Sequence, residues 1–96
     1  MINILVTLEV KNFARLADFE TKAVQVMHAH GGCILRAFET VRNEDDSGQE
    51  IHVLEFPNVD AFNEYRADPK LLEYAEFRNS AIAETNVIIP VKQKKY

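Results

Sequence analysis

The sequence is poor in the features by which many proteins reveal their chemistry. Its 96 residues include one cysteine, so no internal disulfide can form, and a lone thiol fits a reducing compartment. Cys33 reads equally as a small core residue, since free cysteine is among the most buried residue types. Three glycines and three prolines leave no glycine-rich phosphate cradle and no Pro/Gly/Ser linker to divide the chain. No apolar run is long enough to span a bilayer, and the opening stretch Met1 to Glu9 has neither a basic leader nor a small-residue cleavage site. Export and membrane insertion are therefore not expected, and the cytoplasm is the expected compartment. Positive charge is also scarce: Lys and Arg number 11 against 15 Asp and Glu, for a net charge of -4. The only basic run, Lys92 to Lys95, lies in the tail. Such a chain repels phosphate backbones, so nucleic acid is not an expected partner.

What is present is ordinary globular composition, 47% hydrophobic and 27% charged, which places the chain away from disordered and fibrous classes. The length suffices for a single domain over residues 1–96. A domain of this size buries only about 60–68% of the surface its unfolded chain exposes, so a partner that covers more apolar area is a natural source of stability.

From Ile2 to Val10 every even position is apolar, the period of a strand. Asn12 then serves as a helix cap, and Phe13, Leu16, Phe19, Ala23, Val26 and Met27 recur at spacings of three and four until Gly31-Gly32, an amphipathic helix with a glycine stop. Cys33 to Val41 and Ile51 to Phe56 are strand-like, separated by the turn cluster Asn43 to Gly48, which predicts a hairpin. Asn58 can cap a helix through Tyr65, and Asp68-Pro69 opens a second helical run through Leu71, Leu72, Ala75, Phe77, Arg78 and Ile82. Asn86 to Val91 reads as a last strand, placed at an edge by Pro90.

The order βαββαβ predicts an α+β ferredoxin-like fold, a four-stranded antiparallel sheet with both helices on one face. The other face would then carry Leu5, Leu35, Val41, Ile51, Val53, Val87 and Ile89. That is more apolar surface than a monomer normally exposes, and a second sheet packed face to face would bury it. A homodimer is expected.

Particular residues carry a resemblance. Glu55-Phe56-Pro57-Asn58, then Ala61, Tyr65, Asp68-Pro69 and Arg78, resemble the Glu-Phe-Pro-Ser, Trp, Ser-Pro and Arg pattern of a family of unknown function in the dimeric α/β-barrel superfamily. Gly31-Gly32 followed by Leu35 and an arginine is similar too, and the resemblance spans nearly the whole chain. The chain departs from the pattern in having Tyr65 for the usual tryptophan, Leu71 where tyrosine is commoner, and Arg36 one residue early. An offset of one residue in a strand turns a side chain to the opposite face. The resemblance implies a homodimer paired through its sheets. It also implies a small-molecule cavity between sheet and helices, on a scaffold that serves cofactor-independent monooxygenases, isomerases and dye- or haem-handling proteins.

If the hairpin turn is centred near Asp46, Thr40 faces His52, Phe38 faces Leu54 and Arg36 faces Phe56, and even positions point towards the helices. The polar candidates on that layer are Arg36, Thr40 and His52, joined by Arg78 and Tyr65 from the helices. His52 titrates near neutrality when unperturbed and suits proton transfer, although a lone strand histidine is more commonly structural. Arg78 suits clamping or stabilising an anion, and equally suits pairing with Glu55 or Glu73. Glu9 and Glu39 share the other parity and read as a solvated rim of the dimer face. His28 and His30 stand two apart on a helix, diverge, and lack a third ligand, so no metal and no cofactor are expected. Cys33 has no neighbouring base to activate it. The leading expectation is a homodimer binding a small organic molecule, with cofactor-independent oxygenation or isomerisation as its enzymatic form and His52 and Arg78 as its working residues. The alternative is a non-catalytic ligand-binding or stress-related protein.

Overall fold

The computed structural model describes all 96 residues. The first strand, β1 (Ile2–Val10), leads into helix α1 (Phe13–Ala29), then the hairpin β2 (Cys33–Arg42) and β3 (Gly48–Phe56). Three short helices, α2 (Val59–Ala67), α3 (Pro69–Leu72) and α4 (Ala75–Ala81), precede the last strand β4 (Ile82–Ile88). The strands form one antiparallel sheet in the order β2-β3-β1-β4. The result is the ferredoxin-like α+β fold expected from the sequence.

The caps are those the sequence announces. Asn12 Oδ1 accepts from the Arg15 amide, Asn58 Oδ1 from the Ala61 amide, and Asp68 Oδ1 from the Lys70 amide, each satisfying a first-turn donor that the helix leaves free. Gly31, at φ 76°, ends α1 in the left-handed conformation that glycine adopts without strain.

The even positions Ile4, Val6, Leu8 and Val10 of β1 are buried against Leu16, Phe19, Ala23 and Met27 of α1 and Phe62 and Tyr65 of α2. Phe56, fully buried, meets Phe62 and Tyr65 with ring centroids 5.3 and 5.5 Å away. The opposite face carries Leu5, Val53, Ile51, Phe38 and Ile88, of which Phe38 and Ile88 are about half exposed.

Four local expectations are corrected. The last strand begins at Ile82 rather than Asn86, so Pro90 lies beyond it. Its register against β1 puts Val87 opposite Val6 on the helix side and Ile88 opposite Leu5 on the open side, because directly opposed residues share a face. The second helical run is broken at Glu73-Tyr74 into two helices. In the hairpin, Arg36 pairs with Val53, Ala37 with His52, Phe38 with Ile51 and Glu39 with Glu50.

The hairpin difference has a physical cause. The first pair is Arg42 with Gly48, so the turn is centred on Asp45, and irregularities then occur between Glu39 and Val41 and between Ile34 and Arg36. Each leaves one extra residue on β2, and an extra residue reverses the alternation of faces. Between the two, the odd residues Ala37 and Glu39 face the helices, while Arg36 and Phe38 face away. Glu39 therefore does not share the open face with Glu9.

Candidate functional site

The helices do not close tightly on the sheet. Between them lies a cleft of about 550 Å³, with Val6, Leu8, Leu54 and Val87 from the sheet and residues from all four helices in its walls. Thirteen of its twenty lining residues are hydrophobic, the usual character of a site for a small organic molecule. His52, Arg78 and Tyr65 all open on it, with Glu20 and Thr85.

His52 sits mid-strand in β3 with its side chain towards α1, only 4% exposed. Its Nε2 is bonded to Glu50 Oε2. Two residues apart on one strand, the two side chains share a face, so the pairing follows from the pleat itself. Arg78 projects from α4 across the start of β4, and its guanidinium donates to the hydroxyl of Thr85. Neither Glu55 nor Glu73 forms the ion pair considered for it; the ion pairs of the molecule involve other residues. The guanidinium keeps donors to spare.

Glu20 comes from the buried face of α1. Burial raises its carboxyl above the ordinary value, and Glu50 reinforces that, while His52 and Arg78 oppose it. Tyr65 is held in the phenol form by burial and by the nearby negative charge of Glu20, against the pull of Arg78. A carboxylate-bound imidazole, a guanidinium and a phenol therefore share one apolar cleft. This set can orient an oxygenated molecule, take up a proton and stabilise the anion that results.

Arg36 and Thr40 do not join this set. The bulge at Thr40 turns Arg36 to the open face opposite Val53, and Thr40 is the unpaired extra residue, exposed at the edge. Neither lines the cleft. His30, at the end of α1, instead holds Asp68 at 2.7 Å. This contact lowers the Asp68 carboxyl below its ordinary value and ties α1 to the α2–α3 junction.

Glu20, Glu50 and Thr85 are the site residues that sequence reasoning missed, and two of them left a signal. Glu20 lies four residues after Leu16 and three before Ala23, a charged residue inside the apolar stripe. Glu50 shares the parity of His52 one pleat away.

The sequence profile of the family described as "Domain of unknown function (DUF1330)" matches residues 3–91. The chain belongs to this family. No curated protein matches this chain by sequence. Among solved structures, a protein of unknown function from Rhodopseudomonas palustris, RPA0582, is 19% identical with a TM-score of 0.72, over 96% of this chain and 83% of that one. SnoaB, a cofactor-independent oxygenase from Streptomyces nogalater, is 14% identical with a TM-score of 0.66, over 96% and 94%. The protein At3g17210 from Arabidopsis thaliana is 13% identical with a TM-score of 0.69, over 100% and 99%. Identities this low establish a shared fold for this DUF1330 protein and leave its chemistry to its own residues.

Proposed function

We propose that this DUF1330 chain is a single-domain cytoplasmic protein that pairs with a second copy of itself through the open sheet face. Each subunit binds one small organic molecule in the cleft between sheet and helices, where His52 and Arg78 act on it without a cofactor, in an oxygenation or isomerisation. The observation that carries this reading is the meeting of His52 and Arg78 on one predominantly apolar cleft. The likeness to an oxygenase that works without a cofactor agrees with it. In both reactions a proton leaves a weakly acidic group and the remaining anion needs stabilising. The imidazole suits the first task and the guanidinium the second.

The test is a native mass-spectrometric screen of the protein with quinones, phenols and lactones, followed by turnover assays on any that bind. Loss of turnover in His52→Ala with assembly and binding intact supports the catalytic reading. Binding without turnover in the unmodified protein supports the non-catalytic alternative, and unchanged turnover in His52→Ala removes that residue from the mechanism.

A further inference from the structure

His52 stands in the wall between two clefts. On one side is the apolar cleft that holds Arg78 and Tyr65. On the other is a second cleft of about 500 Å³, under the first turns of α1, which Glu50 lines and Arg78 does not. Only Glu20 and His52 border both. The outer rim of the second cleft is formed by Glu39, Arg42 and Asp46, side chains between 41% and 48% exposed and in contact with water.

We propose that Glu50 is the positioning residue and proton outlet of the site: it holds the His52 ring in one tautomer, and it passes the proton that His52 collects in the apolar cleft to water in the second cleft. This rests on the reading of His52 as the base of the apolar cleft.

The geometry that carries it is the bond from His52 Nε2 to the Glu50 carboxylate. A carboxylate only accepts, so Nε2 bears the hydrogen and Nδ1 keeps a free lone pair. No buried side-chain nitrogen or oxygen lacks a hydrogen-bond partner, and the ring's one hydrogen bond is through Nε2. Nδ1 therefore borders accessible space. When Nδ1 takes a proton from a bound carbon or oxygen acid, the bonding electrons stay behind as an enolate or phenolate, and Arg78 lies across the same cleft to meet that charge. The Nε2 hydrogen moves to Glu50, which releases it through the second cleft; after the product leaves, water entering beside His52, which borders both clefts, relays the Nδ1 hydrogen to Nε2 and restores the starting tautomer. Proton and ligand thus leave by different doors, and the apolar cleft stays dry during the transfer.

The probe is nitrobenzisoxazole, a flat apolar carbon acid. Loss of its ring C–H proton to a base breaks the N–O bond and releases a coloured cyanonitrophenolate. Glu50→Gln keeps an acceptor for Nε2 but not a proton carrier, and is expected to lower kcat roughly tenfold or more with KM changed by less than about twofold. Glu50→Ala is expected to be slower still, and added formate, small enough for the second cleft, should restore its rate in proportion to formate concentration. Nitrogen-15 NMR of the unmodified protein should show His52 as the Nε2–H tautomer. Glu50→Ala turning over the probe as fast as the unmodified protein while His52→Ala is slow would overturn the proton outlet and leave His52 in place. A His52 found as the Nδ1–H tautomer would overturn it without any turnover measurement. Equal rates in the unmodified protein and His52→Ala would instead remove the base itself, and the outlet with it.

Discussion

Replacing Phe38 by Asp tests the open face most directly. Phe38 keeps 53% of its surface exposed on β2, beside Ile51 on β3 and on the same side as Leu5 and Ile88. A phenylalanine side chain carries about 200 Å², so about 100 Å² remains to be covered by a partner. At about 25 cal/mol per Å², complete cover contributes about 2.5 kcal/mol. A twofold-symmetric interface uses every residue twice, so Phe38 supplies about 5 kcal/mol of dimer stability, which is between three and four powers of ten in the dissociation constant. Aspartate removes that term and adds two carboxylates to an apolar interface. Sedimentation equilibrium over a dilution series should therefore show a dimer for the unmodified protein and a protomer for Phe38→Asp at concentrations where the former is fully paired. The helix-side core is untouched, so the far-ultraviolet circular dichroism of the two should agree. A variant that pairs within about tenfold of the unmodified protein, or an unmodified protein that sediments as a lone protomer at high concentration, refutes the assignment of this face.

Glu20→Gln should stabilise the protein at neutral pH and flatten its pH dependence. Burial raises this carboxyl from the usual 4.5, so the native state binds the proton more tightly than the unfolded chain. The resulting stability is full below that value and is lost as pH rises through the raised one. Urea denaturation of both proteins at several pH values checks it; a Gln variant with the same slope as the original between acid and neutral pH counts against the buried carboxyl. Gly48→Ala should be strongly destabilising, by about 2 kcal/mol or more, because a Cβ there would lie 1.9 Å from the Val41 carbonyl oxygen, and backbone cannot rotate aside as a side chain can. A melting temperature within a degree or two of the original would show the hairpin to be looser than described. Asn12→Ala should cost about 1 kcal/mol through the lost cap, measured by thermal melting.

The fold was legible because its signals are local. Alternation in β1, the apolar stripe of α1 and the capping residues Asn12, Asn58 and Asp68 each depend on neighbours a few residues apart. The hairpin register was not, because it turns on two extra residues in β2 that alternate no differently from their neighbours in sequence. That single feature displaced Arg36 and Thr40 from the candidate site. His52, Tyr65 and Arg78 line one cleft, since β3 pairs with β1 without irregularity and the break at Glu73-Tyr74 leaves Arg78 on a helix, α4. Glu20 and Glu50 were visible in principle as charges in buried registers, a conflict of the kind that marks functional or strained positions. The partner of Arg78 was unforeseeable from sequence, since it depends on β4 beginning at Ile82 and so carrying Thr85 inward.

The cleft is walled on one side by a sheet and on the other by α1 and three short pieces of helix, and the middle one of these, Pro69–Leu72, buries none of its residues fully. Leu71 and Leu72 line the cleft while contributing little to holding the strands together. The capacity of the chamber can thus be retailored at these two positions without renegotiating the framework.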